Sequence, residues 1–126
     1  MRFNVLVVED DFVIRKFLSD MLEQTECSVH AASNADEARK WLTENGNSCD
    51  LVLMDVGLPG ETGLELTKRI RNMEPPTRDL PIVAVTAYAM SGDREKCLEA
   101  EMDDYLAKPF TFDDLLGVLQ RHLGDR

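Results

Sequence analysis

Two kinds of segment alternate along the chain. Residues 3–8, 51–54 and 80–86 are short apolar runs rich in Val and Leu, the pattern of strands covered on both faces of a parallel sheet. Residues 28–32 and 105–107 repeat it more weakly. Between the runs, apolar positions recur at helical spacing. Ile14, Phe17, Leu18, Met21 and Leu22 form one stripe, which predicts a first helix with a single buried face. Ala38, Trp41 and Leu42 mark a second helix, and Phe112, Leu115, Leu116, Leu119 and Leu123 the last. Ser33 with Asp36, Thr62 with Glu65 and Thr111 with Asp114 fit capping boxes, in which a hydroxyl and an acid satisfy free backbone N–H groups. Gly46 and Gly124 stand where glycines close helices, and Pro75-Pro76 breaks the chain before the fourth strand.

Strand and helix thus alternate five times. Such alternation predicts an α/β fold with parallel strands, right-handed crossovers and helices on both faces. The whole chain, 1–126, is expected to form one domain. In sheets of this kind ligands bind at the carboxyl ends of the strands, where strand order reverses.

Composition narrows the function. The net charge is −10, from 24 acidic against 14 basic residues, which argues against a nucleic-acid surface because phosphate contacts need clustered Lys and Arg. No window approaches the roughly 18 consecutive apolar residues of a membrane helix, and the start of the chain lacks the pattern of a signal peptide. Cys27, Cys49 and Cys97 are odd in number and far apart. They predict buried apolar residues in a reducing cytoplasm, with no disulfide or zinc site.

The acids matter where they meet the strand ends. Glu9-Asp10-Asp11 follows the first strand, Asp55 the third, Thr86 closes the fourth, and Lys108-Pro109 follows the fifth. Each alone has an ordinary explanation. Asp11 suits a helix cap, Asp55 a turn, Thr86 a strand end, Lys108 a solvated charge, and Asp103-Asp104 an exposed loop. Three successive acids, however, exceed what one cap needs. Carboxylates about 4 Å apart repel by roughly 4 kcal/mol at an effective dielectric near 20, so this edge calls for protons or a cation. Hard oxygen ligands suit Mg²⁺. The same set suits phosphoryl transfer, with Asp55 as carboxylate nucleophile. A cation, the Lys108 ammonium and the Thr86 hydroxyl would then stabilise the phosphoryl oxygens.

These residues resemble the receiver domain of two-component response regulators. The resemblance lies in Val7-Val8-Glu9-Asp10-Asp11, Met54-Asp55-Val56-Gly57-Leu58-Pro59-Gly60 with Gly63, Val85-Thr86-Ala87, and Asp104-Tyr105-Leu106-Ala107-Lys108-Pro109-Phe110. It implies a flavodoxin-like five-stranded sheet in the order 2-1-3-4-5. It also implies that Asp55 is the phosphoacceptor, and that Mg²⁺, or Mn²⁺ in its place, is held by Asp10, Asp55, the Gly57 backbone carbonyl and, through water, Glu9. Thr86 would be the switch hydroxyl, Lys108 the ion-pair partner of the phosphoryl group, and Tyr105 the aromatic that moves inward with Thr86. Lys108-Pro109 would carry a cis peptide bond. Phosphorylation would bias an existing conformational equilibrium, read out at the face of the fourth helix, fifth strand and fifth helix.

The implied partners are a histidine kinase or histidine-phosphotransfer protein and a downstream protein, with room for a weak homodimer and none for nucleic acid or membrane. The implied role is signalling, with self-catalysed transfer and autodephosphorylation, in a domain working alone or within a longer regulator. The stretch from Met90 to Asp104 is similar to receivers of hybrid histidine kinases and phosphorelays. Leu58 replaces the commoner Met, Glu101 stands where the family often has Gly, and Gly57 and Tyr88 bear on water access to the acyl phosphate. A small Mg²⁺-dependent phosphatase would place a second acid where Gly57 stands, and a degenerate receiver would lack the acids, acceptor or lysine. A flavodoxin-type carrier would need a phosphate-cradling loop after the first strand.

Overall fold

The apolar runs and helical stretches fold in the order the pattern predicts. The computed structural model describes residues 3–87 and 93–124, with the backbone alone at 93 and 94. Its elements are β1 (Phe3–Val8), α1 (Phe12–Glu23), β2 (Cys27–Ala32), α2 (Ala35–Asn45), β3 (Leu51–Asp55), α3 (Gly63–Arg71), β4 (Ile82–Thr86), α4 (Asp93–Glu99), β5 (Asp104–Ala107) and α5 (Phe112–Leu123). All strand pairs are parallel, in the order β2-β1-β3-β4-β5. Strand order therefore reverses at β1, and the register Val8↔Met54 sets Glu9 beside Asp55 at that switch point.

Alternate residues of the central strands face opposite helix layers. Leu6, Val8, Val52, Met54, Ile82 and Ala84 pack with α2 and α3 through Ala38, Leu42, Leu66 and Ile70. Val5, Val7, Leu51, Leu53, Val83 and Val85 pack with α1 and α5 through Leu18, Leu22, Leu115 and Val118. Each fully buried Leu or Val contributes roughly 1.5–3 kcal/mol over an exposed one. Because both faces are apolar, polarity alternation cannot set the register. The polar residues that must leave at the sheet edge can, since a one-residue slip would carry a charge inward.

Several local details differ from the sequence pattern. Phe17, Phe112 and Leu116 are exposed, and Val118 is buried in the place Leu116 was expected to fill. The α2 cap is Asn34, which accepts from Glu37 N–H, while Ser33 donates to the Glu37 carboxylate. An amide oxygen caps as well as a hydroxyl, and the box shifts by one residue. The boxes at Thr62 and Thr111 form as predicted, and Asp11 caps α1 through Ile14 N–H. Gly46 and Gly124 end their helices with right-handed backbones. Gly46 is needed for space instead, because a Cβ there would lie 2.0 Å from Thr77 Oγ1.

Asp103 is an exposed loop residue as expected, but a partnered one, and Asp104 lies in a strand. Asp103 accepts from Ile82 N–H and Arg71, and Asp104 opens β5 and accepts from Arg121 Nε at 2.8 Å. All three cysteines are free and buried, and burial pushes the Cys49 thiol up to about 11.

Glu101 has a left-handed backbone, φ 70°, and its carbonyl accepts from Arg71. A non-glycine residue in that region costs about 1–2 kcal/mol, part of which glycine returns as unfolded-chain entropy. Glu101→Gly should therefore stabilise the protein by about 0.5–1 kcal/mol, a rise of roughly 2–4 °C in Tm, measurable by thermal melting.

Candidate functional site

Strand geometry brings the acids together. Glu9 N–H, just past the end of β1, still bonds to Ala32 O at 3.0 Å, and the residue is only 1% exposed. Asp10, one residue on, is exposed at the turn. Asp55 ends β3, and its Oδ1 accepts from Gly57 N–H at 3.1 Å. One carboxylate oxygen from each of Glu9, Asp10 and Asp55 lies within 4.8 Å of the others.

Lys108 arrives from the far side. Its backbone N–H bonds to Thr86 O at 2.8 Å, and a cis Lys108-Pro109 bond turns the chain. Its Nζ lies 2.8 Å from Glu9 Oε1 and 3.7 Å from Asp55 Oδ1. Thr86 is buried at the end of β4. Tyr105 is partly buried against the core on the α2–α3 side, opposite Ala84 in the β4–β5 register.

The environment drives the two inner carboxyls apart. Burial, with the Asp55 carboxylate close beside it, raises Glu9 to about 7 against the opposing pull of Lys108. Burial works against Asp55 too, but the close approach of Glu9, the hydrogen bond from Gly57 N–H and the Lys108 charge hold it below the usual range. Lys108 is raised, because its bond to Glu9 and the charges of Asp55, Glu9 and Asp10 outweigh its own burial. Near neutrality Glu9 and Asp55 therefore have two acids and less than two charges between them.

That shift has a testable consequence. A folded-state value of about 7 against 4.5 means Glu9 contributes stability below 4.5 that is lost as pH rises through 7. Asp55 is lowered from 3.8, so its own contribution is lost only on acidification below that window. In EDTA the Tm should accordingly rise as pH falls from 7 towards 5, and Glu9→Gln should remove the trend. A flat wild-type profile by calorimetry would contradict it.

The donor set fits a divalent cation on this structure's own terms. Three hard carboxylates converge, and Glu9 Oε2 is a buried acceptor with no hydrogen bond among the described residues. A buried acceptor without a partner is costly unless something meets it.

The response regulator receiver domain family matches residues 5–120. The chain belongs to that family. Among curated relatives it is 38% identical to hybrid signal transduction histidine kinase G of Dictyostelium discoideum, over 94% of this chain and 4% of that one. It is 33% identical to the polar-differentiation response regulator DivK of Brucella anthropi, over 97% of each. It thus spans a small part of some relatives and nearly all of others.

Two solved structures share the fold. The receiver domain of sensor histidine kinase PA1611 from Pseudomonas aeruginosa, with a magnesium ion in its active-site cleft, matches at 37% identity and TM-score 0.87, covering 98% of this chain and 99% of that one. The complex of the Saccharomyces cerevisiae phosphotransfer protein Ypd1 with the receiver domain of its downstream response regulator Ssk1 matches at 30% identity and TM-score 0.86, over 96% and 88%.

Within this receiver, the residues named from sequence meet unevenly. Glu9, Asp10, Asp55 and Lys108 form one cluster, and Thr86 joins through the Lys108 backbone. The nearest partner of Lys108 is Glu9 and not Asp55. Gly57 presents its N–H to Asp55. Tyr88 and the start of the stretch from Met90 lie outside the described residues.

Sequence reasoning missed an apolar surface beside the receiver's cluster. Phe12, Val13 and Phe17 of α1 are 66%, 73% and 52% exposed, and Phe17 stacks on Phe110. Ile14, Phe17, Ala87, Lys108, Pro109 and Phe110 line a depression of about 340 Å³ that shares Lys108 with the acids. Its signal was Phe12 and Val13, two large apolar residues lying off the predicted stripe. Among the described residues no helix is long and apolar enough to cross a membrane.

Proposed function

We propose that Asp55 accepts a phosphoryl group from a phosphohistidine donor in a Mg²⁺-assisted reaction. The observation that carries this is the meeting of Asp55 with Glu9, Asp10 and Lys108, with one Glu9 oxygen buried and unpartnered. Asp10, Asp55, the Gly57 carbonyl and, through water, Glu9 would hold the cation, which neutralises charge on the transferring group. The Asp55 carboxylate, kept ionised by its low pKa, attacks phosphorus in line. An O–P bond forms as the P–N bond breaks, and the electron pair stays on the imidazole nitrogen. Lys108 turns its ammonium from Glu9 to the phosphoryl oxygens, and the Thr86 hydroxyl donates to one of them. Gly57 brings no second acid to activate water, which favours a signalling acceptor over a phosphatase.

The donor would dock on the apolar α1 surface, whose depression shares Lys108 with the cluster around Asp55. The Ypd1–Ssk1 complex supports a phosphotransfer partner. Phosphorylation would draw Thr86 and Tyr105 inward and alter the α4-β5-α5 face for a downstream protein or a second copy. The chain would act as one receiver unit of a cytoplasmic pathway, with its phosphoryl group lost by autodephosphorylation.

Incubation with Mg²⁺ and phosphoramidate, followed by intact-mass measurement, should show one added phosphoryl group, absent in Asp55→Asn. Modification that persists in Asp55→Asn, or an unaltered wild-type mass despite bound Mg²⁺, would overturn the proposal.

A further inference from the structure

The β1–α1 turn carries two of the three acids, yet its carbonyls fall between two hydrogen-bond ladders. The strand register ends at Val8, with Glu9 N–H to Ala32 O as the last bond to β2, and Arg15 N–H bonds to Asp11 O at the start of α1. The Glu9 and Asp10 carbonyls lie between. A single nitrogen, Arg15 Nη1, donates to both, at 2.9 Å to Glu9 O and 3.3 Å to Asp10 O. The guanidinium also rests over the Phe12 ring, 5.6 Å from its centroid, and the half-buried side chain is thereby held from two sides. One planar group thus fixes two successive peptide units. Their side chains diverge, Glu9 inward and Asp10 outward, yet each keeps an oxygen near Asp55.

We infer that Arg15 is a positioning residue for the cation site: by bridging the Glu9 and Asp10 carbonyls it keeps both acids in register with Asp55 and so sets divalent-cation affinity. The inference rests on the Mg²⁺-assisted role proposed above and extends it to a residue that touches neither cation nor phosphoryl group. Charge alone predicts the opposite sign. A guanidinium on the turn that bears two of the acids would by its charge disfavour an incoming cation, so its removal should tighten binding. If Arg15 acts by holding geometry, its removal weakens binding, and groups that orient metal ligands are typically worth about 10–100-fold in affinity.

Calorimetric titration with MgCl₂ at pH 8, above the Glu9 value of about 7, separates the two. Arg15→Met should bind Mg²⁺ about ten-fold more weakly than wild type. Arg15→Lys, which keeps the charge but is one bond too short to place its nitrogen where Nη1 meets both carbonyls, should fall below wild type as well. The Mg²⁺ concentration giving half-maximal phosphorylation should rise by the same factor, with the rate at saturating Mg²⁺ near wild type. Binding in Arg15→Met as tight as wild type or tighter overturns the inference, and should that variant not fold, wild-type affinity in Arg15→Lys does so. A wild type that itself fails to bind Mg²⁺ would instead overturn the cation-assisted reading of Asp55.

Discussion

Lys108→Met is expected to slow phosphoryl uptake from phosphoramidate by about 100- to 1,000-fold, the usual cost of removing one preorganised charge from a transferring group. Mg²⁺ affinity, measured at pH 8, should stay level or rise. The reason lies in where Lys108 sits. Its Nζ is 2.8 Å from Glu9 Oε1 and 3.7 Å from Asp55 Oδ1, so it neutralises the acids that a cation would also neutralise. Methionine removes that competition and keeps most of the side-chain volume. Transfer suffers because no ammonium remains to follow the phosphoryl group onto Asp55. Glu9 should also titrate higher than about 7 in the variant, since Lys108 is the group pulling it down, and a proton would then mask Mg²⁺ binding at neutral pH. Parallel losses in rate and Mg²⁺ affinity at pH 8 would show that Lys108 only holds the site together.

Gly63→Ala should lower the Tm by roughly 5–10 °C, from overpacking of about 1–3 kcal/mol. A Cβ at position 63 would lie 2.3 Å from the Asp55 carbonyl oxygen and 3.0 Å from Met54 Cγ. The first contact is backbone and cannot swing aside. Either α3 backs away or the end of β3 moves, and Gly63 N–H, which bonds to Val56 O at 3.1 Å, is drawn into the same shift. Asp55 would move relative to Glu9, so phosphoryl uptake should fall together with stability. A variant that melts lower but takes up phosphoryl at the wild-type rate would mean that α3 absorbs the strain alone.

Fold and site were legible in the sequence to different depths. Strand runs and helical stripes are local patterns, so the alternation and the parallel sheet could be read directly, and capping chemistry marked helix starts to within a residue at Asn34. Helix faces were less legible. Ile14, Phe17 and Leu18 share one stripe, but only Leu18 is fully buried, because spacing marks an apolar face and cannot say how far the sheet extends beneath it. Phe17 lies past that cover and stacks on Phe110 instead. The partners of Asp103 and Asp104 could not be read, because Arg71, Arg121 and Ile82 N–H are distant in sequence.

By itself the sequence determined which residues arrive at the carboxyl edge, because a strand delivers its next residue there whatever surrounds it. Glu9, Asp10, Asp55, Thr86 and Lys108 follow from strand ends alone. Only the tertiary structure decided what each becomes. Glu9 is buried and titrates near 7, while Asp55 stays ionised below the usual range. Lys108 is drawn to Glu9, and Arg15 reaches back to the turn that bears the acids. Burial and charge coupling in a low-dielectric crevice depend on every element packed around it, and no local pattern carries that information.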